Sequence, residues 1–165
     1  DLSATIAIRH GLSGADLEAV LIAASFHDIG KIGVPDYVLM KSTPFTADEW
    51  EKMKRHAAIG ADIIAATGID EAARASRVIR HHHEHFDGSG YPDRLAGHAI
   101  PICSRIISIA DSYDAMAVTR SYHPPRTHDE IMLILHDETG IKHDPEVMKT
   151  FCKVIESDDF RKMRG

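Results

Sequence analysis

The sequence predicts an all-α fold, and three observations carry that prediction. Alternating runs of β-branched residues, the mark of a half-buried strand, are absent from it. Apolar residues instead recur at helical spacing, as in Leu17, Val20, Leu21 and Ala24. Helix punctuation brackets such stretches: Thr46 and Glu49 make a capping box, Gly68 is a stop, and Pro101 suits a first helical turn.

In chain order, residues 2–10 read as the end of a helix that Gly11, Ser13 and Gly14 break. Asp16 opens the next, which Gly30, Gly33 and Pro35 end. From Thr46 one long helix is expected to about Thr67, and another covers about 70–84. A loop rich in Gly, Pro and Asp spans 86–100, and a helix follows from Pro101 to about Val118. Pro124 and Pro125 make 122–126 a loop. Helices over about 127–138 and 145–157 close a single domain of residues 1–157, leaving 158–165 as a charged tail.

A chain of 165 residues can bury a real core. A net charge of -6, with basic residues scattered, excludes a general binder of polymeric nucleic acid or of a membrane surface. No apolar run approaches the roughly 20 residues of a membrane helix, and neither a membrane span nor a signal peptide is expected. Cys103 and Cys152 lie in apolar segments and read as reduced thiols, so a cytoplasmic location is expected. The outlier is histidine, at 12 residues.

Four of these fall in one stretch, His81-His82-His83-Glu84-His85, before Phe86-Asp87-Gly88-Ser89-Gly90-Tyr91-Pro92. A purification tag would sit at a terminus, which leaves a solvated polar face or metal ligation. The dipeptide His27-Asp28 continues the apolar rows of its helix, where a buried His–Asp hydrogen bond is the simplest account. His56 falls among Trp50, Met53, Gly60, Ile63 and Ile64, the expected inward face of its helix. Asp111 shares a stripe with Ile107, Asp114 and Val118. One such group is usually a satisfied core residue. Several on inward faces would each need a partner, and a shared pair of divalent metals satisfies them together.

The ordered set is more specific than any member. His27-Asp28-Ile29-Gly30-Lys31, Met53 to His56 with Ile59-Gly60, His82-His83-Glu84 and Asp87 to Pro92 come first. Ile100-Pro101, Arg105 to Asp111 with Asp114, Arg120-Ser121-Tyr122, Thr139-Gly140 and Asp144-Pro145 follow. From about Leu12 to Phe151 the chain resembles the HD-GYP family. These are bacterial cyclic-di-GMP phosphodiesterases within the HD superfamily of metal-dependent phosphohydrolases.

That resemblance implies a helical bundle with a binuclear metal site between helices. It makes Asp28 the bridging ligand, puts His27 and Asp111 on one metal, and puts His56, His82 and His83 on the other. His81 and His85 fall where the family has no ligand and read as solvated or outer groups. Two cations about 3.5–4 Å apart would make a bridging hydroxide available near neutral pH for in-line attack on phosphorus. Lys31, together with Asp28, is the expected catalytic residue, and Lys31 and Arg120 the expected phosphate contacts. Gly90, Tyr91 and Pro92 belong to the signature loop, a contact for an upstream regulatory domain and other signalling proteins. Iron or manganese is the first expectation for the metals, with nickel and zinc open.

Three departures accompany the match. Family members take further ligands from a helix upstream of the HD pair, and His10 is too close to His27 to serve, so the N-terminal helix is expected to be truncated. His123 stands where a basic residue is common, and His143 where an aromatic is usual. The expected activity opens cyclic-di-GMP to the linear dinucleotide or onward to GMP. A cyclic-dinucleotide receptor without turnover, another HD-superfamily nucleotide phosphohydrolase, and a homodimer stay open.

Overall fold

The computed structural model describes residues 1–117 and 126–157. As the patterning predicts, helices and turns make up the described residues, with an isolated bridge between Thr139 and His143 and no strand. The helices are α1 (Leu2–Arg9), α2 (Gly14–Phe26), α3 (Asp36–Leu39), α4 (Ala47–Lys54), α5 (His56–Ala65), α6 (Ala72–Arg80), α7 (Ile102–Ala117), α8 (His128–Asp137) and α9 (Pro145–Ile155). Tighter 3-10 turns occupy Ile29–Gly33 and Gly97–Ala99.

Local chemistry starts these helices where the sequence places the caps. Thr46 and Glu49 satisfy each other's backbone amides at the head of α4, and Thr127 and Glu130 repeat the arrangement at α8. Asp144 caps α9, with Pro145 in its first turn. The same Asp144 carboxylate bonds the Arg105 guanidinium of α7, so the loop before α9 is tied to the centre of the bundle.

That centre is α7, which packs against α1, α2, α6, α8 and α9. Its Ile106, Ile107 and Ile109 are buried together with Ile6, Val20, Ile79, Leu135 and Phe151. On one side α5 packs against α6 and against the turn that follows α2. This contact brings the HD turn, the start of α5 and the end of α6 to one place.

Several boundaries differ from the expectation, each for a local reason. The helix expected over 46–67 breaks at Arg55, between α4 and α5. The two halves share no buried face: α4 buries nothing, while α5 buries Ala57, Gly60, Ala61 and Ile64. α6 ends at Arg80 rather than Glu84, because Glu84 turns away to bind the amides of Asp93 and Leu95. α2 stops at Phe26, and its inward row is Ala19, Val20 and Ala23, with Leu21 exposed. α3, after Pro35, was not anticipated. Of the loop expected over 122–126, residues 122–125 lie outside the described residues, as do Val118 and the tail 158–165.

Candidate metal centre and adjoining cleft

His27 caps the C-terminus of α2, and Asp28 follows it with φ −93° and ψ 0°, already out of the helix. His56 is the first residue of α5, His82 and His83 form the turn after α6, and Asp111 lies within α7. Three of these histidines share one local device. Nδ1 of His27, His56 and His82 sits 3.2, 2.7 and 2.5 Å from the carbonyl oxygen three residues earlier, of Ala24, Met53 and Ile79. With Nδ1–H donated to the backbone, the lone pair is on Nε2 and the ring is oriented, as metal-binding imidazoles require.

The Nε2 atoms of His27 and His56 converge on two carboxylates. His56 Nε2 lies 3.6 Å from Asp28 Oδ1, while His27 Nε2 lies 3.8 Å from Asp28 Oδ2 and 3.6 Å from Asp111 Oδ1. The ring centroid of His82 is 5.3 Å from that of His27, 5.6 Å from that of His56 and 3.9 Å from that of His83. One nitrogen from each of His56, His82 and His83 lies within 4.8 Å of the others. The fold thus gathers His27, Asp28, His56, His82, His83 and Asp111 from four separate segments.

Electrostatics keeps three of the histidines neutral, as metal ligands must be, and treats His27 differently. Burial lowers the pKa of His56 and pushes that of His82 down to about 4. Burial, aided by its imidazole neighbours, lowers that of His83 as well. For His27, burial acts downward, but the hydrogen bond to Asp111 and the charges of Asp28 and Asp111 outweigh it, so its pKa rises. Asp111 responds in kind: burial acts upward, and the bond and charge of His27 bring it below its ordinary value. Nε2 of His56 and of His82 are buried without a hydrogen-bond partner. Nitrogens so placed are costly, and a cation between them and the carboxylates would satisfy both.

Lys31 Nζ bonds Asp28 Oδ2 at 2.6 Å, so this lysine stands at the centre through its contact with Asp28. Arg120 lies outside the described residues. In the signature loop the Tyr91 amide donates to the His83 carbonyl oxygen at 3.2 Å, and the two rings are 5.0 Å apart. Gly90 lies on the backbone of His83, Glu84 and His85, where a Cβ would overlap main-chain atoms. Burial, with the charges of Asp111 and Asp28, raises the Tyr91 pKa, which keeps the phenol protonated.

His81 has a different task from its neighbours. Its Nε2 lies 2.9 Å from Asp93 Oδ2, and Arg80 holds both Asp93 oxygens at 2.7 Å. The Arg80 bonds hold the Asp93 pKa at about 2. This group clamps the signature loop to the end of α6. His85 is likewise engaged, through Nδ1 and Ser89 Oγ at 2.9 Å.

A cleft of about 920 Å³ opens beside His83 and the signature loop. Trp50, Lys54, Arg55, Tyr91, Arg94 and Lys142 line it. The helical spacing predicts an inward position for Trp50, yet it is 43% exposed. A signal was available: Trp50 sits among Asp48, Glu49, Glu51 and Lys52, in a helix with no apolar face to bury.

The chain belongs to the HD domain family, whose model matches residues 1–147. The cyclic di-GMP phosphodiesterase of Thermotoga maritima is 38% identical over 153 residues, which cover 93% of this chain and 42% of that protein. The cyclic di-GMP phosphodiesterase response regulator RpfG of Xanthomonas campestris pv. campestris is 38% identical, over 90% of this chain and 39% of its own length. These relatives bear out the resemblance to HD-GYP proteins, and the chain spans less than half the length of either. The solved structure of a cyclic GMP-AMP specific phosphodiesterase of Vibrio cholerae shares the fold, with a TM-score of 0.76 at 18% identity. That match covers 98% of this chain and 43% of the other. Among the described residues no helix is long and apolar enough to cross a membrane.

Proposed function

We propose that this chain is a metal-dependent phosphodiesterase domain acting on cyclic dinucleotides, with cyclic-di-GMP as the substrate. The observation that carries the reading is the convergence of His27 and His56 Nε2 on the carboxylates of Asp28 and Asp111, beside the grouped nitrogens of His56, His82 and His83, with Nε2 of His56 and of His82 buried and unpartnered. Asp28 reaches toward His56 with one oxygen and toward His27 with the other, the arrangement a bridging ligand needs. His27 and Asp111 would complete one site, and His56, His82 and His83 the other. The imidazole and carboxylate donors fit iron or manganese, and accept nickel or zinc.

Divalent ions held there would supply Lewis-acid polarisation of the phosphodiester and activation of water near neutral pH. The remaining work belongs to the chain. Lys31, fixed by Asp28, offers positive charge to a phosphate oxygen at the centre. Lys54, Arg55, Arg94 and Lys142, against the carboxylate of Glu51, give the cleft the net positive charge that a substrate with two phosphates requires. The clamp of Arg80, His81, Glu84 and Asp93 fixes the loop that forms one wall. The catalytic unit is residues 1–157, in a cytoplasmic protein. Its signature loop faces an upstream regulatory domain, with Ser89 and Arg94 exposed there.

The test begins with elemental analysis of protein purified without oxygen, beside Asp28→Ala. About two metals per chain, lost in the variant, are expected, followed by metal-dependent conversion of cyclic-di-GMP to linear product. Binding of cyclic-di-GMP without turnover by the loaded protein would make the domain a receptor. Turnover of nucleoside triphosphates alone would assign it to another HD-superfamily activity.

A further inference from the structure

The cleft beside His83 has an aromatic wall that metal chemistry does not call for. Trp50 stands on α4, a helix with no buried residue, and points part of its indole into the cleft. Phe45 flanks it at 6.1 Å between centroids with ring planes 19° apart, and Tyr91 meets it at 6.1 Å and 81°. Those two neighbours steady the ring while leaving it 43% exposed. Lys54, one turn further along α4, lines the same cleft, with Nζ 5.8 Å from the Tyr91 ring centroid. Lys54 pairs with Glu51, the one carboxylate among the described lining residues, at 2.6 Å, and Arg55, Arg94 and Lys142 leave the wall with net positive charge.

A half-exposed aromatic face bordered by cations is the chemistry that recognises a nucleotide. The ring takes the base, and the cations take the phosphates. We propose that Trp50 is a stacking platform for a purine base of the cyclic dinucleotide, separate from the metal-binding residues. The proposal rests on the phosphodiesterase reading, because the cleft that holds Trp50 opens at His83. Stacking on a rim residue acts on bound substrate and transition state alike. It therefore belongs in KM more than in kcat.

Trp50 is the single tryptophan of the chain, so its fluorescence reports on this wall alone. Excitation at the red edge of indole absorption, during titration of the metal-loaded, unaltered chain with a slowly hydrolysed phosphorothioate analogue of cyclic-di-GMP, should show saturable quenching. In the unaltered chain, Trp50→Ala should raise KM roughly ten- to hundredfold with a smaller change in kcat, and Trp50→Phe should recover most of the loss. Binding by equilibrium dialysis without quenching, or an unchanged KM in Trp50→Ala, overturns the stacking assignment and leaves the phosphodiesterase reading standing. Absence of both binding and turnover in the metal-loaded, unaltered chain overturns the two together.

Discussion

Gly30 rests on the backbone of His56. A Cβ at position 30 would overlap the His56 carbonyl oxygen and press on the Gly60 amide. This contact seats the turn that carries Asp28 against the start of α5, and so fixes the 3.6 Å approach of His56 Nε2 to Asp28. Gly30→Ala should displace one against the other, because neither backbone can rotate away as a side chain would. Overpacking of this kind costs about 1–3 kcal/mol, or roughly 2–4 °C of Tm per kcal/mol in a domain of this size. Metal content should fall with it. Gly33→Ala is the control, since its Cβ would meet the side chain of Ile59. Equal Tm and metal content in both variants would remove the argument.

Glu84 offers a prediction that separates loop order from metal binding. Its buried carboxylate accepts from the Asp93 amide at 2.7 Å and the Leu95 amide at 3.1 Å. Glu84→Gln keeps the size but turns an NH2 toward one of two N–H donors, leaving a donor unmatched. The expected cost is about 1–3 kcal/mol of local stability. Hydrogen exchange at the Asp93 and Leu95 amides should accelerate about five- to hundredfold, while the amides of α7 stay protected. Exchange that is unchanged at those two positions would show that the loop does not depend on this carboxylate.

The all-α class was legible in the spacing of apolar residues, and the residues that the fold brings together at the candidate centre were legible in the ordered motifs that carry the family resemblance. Thr46, Asp144 and the HD turn act through neighbours a few residues away, which a linear pattern records. The errors share an opposite origin. Trp50 was assigned to the core by its distance from Met53 and Gly60, and that rule assumed one continuous helix. The helix is interrupted at Arg55, and Trp50, on the α4 side, lines the cleft. Glu84 was read into a helix because its capture by Asp93 and Leu95 spans about ten residues of loop. The asymmetry between Leu21, exposed, and Val20, buried, depends on where α6 and α7 lie, which no period within α2 contains.

His143 makes stability depend on pH. It is buried, and burial, with the charges of Lys142 and His85, pushes its pKa down to about 3. The partly exposed Glu138 carboxylate, 3.2 Å from Nε2, does not offset this. In the unfolded chain the imidazole titrates near its ordinary value of about 6.5. Between these values the unfolded state binds a proton that the folded state does not, so stability rises with pH there. The contribution is complete above about pH 6.5 and declines as pH falls toward 3. His82 acts with the same sign, so the comparison must be between variants. His143→Phe should flatten the dependence of the urea midpoint on pH between 7.5 and 5. An undiminished slope would place the titration elsewhere.

The unpartnered nitrogens at the metal centre lead to a prediction with opposite signs in two conditions. His82 is wholly buried and its Nε2 has no hydrogen-bond partner in the protein. His82→Leu removes that buried, unpartnered nitrogen, a gain that outweighs the loss of the Nδ1 bond to the Ile79 carbonyl oxygen. In chelator, the variant should therefore be at least as stable as the unaltered chain. Added divalent manganese should reverse the order. A ligand that binds only the folded state stabilises it by about 2.7 kcal/mol at a hundredfold excess over Kd. The unaltered chain should gain that increment and His82→Leu should lose most of it. Thermal melts with chelator and with manganese measure both signs on the same samples. An equal metal-dependent rise in Tm for the two proteins would show that His82 is not a ligand, and a large loss in chelator would show that its ring serves packing.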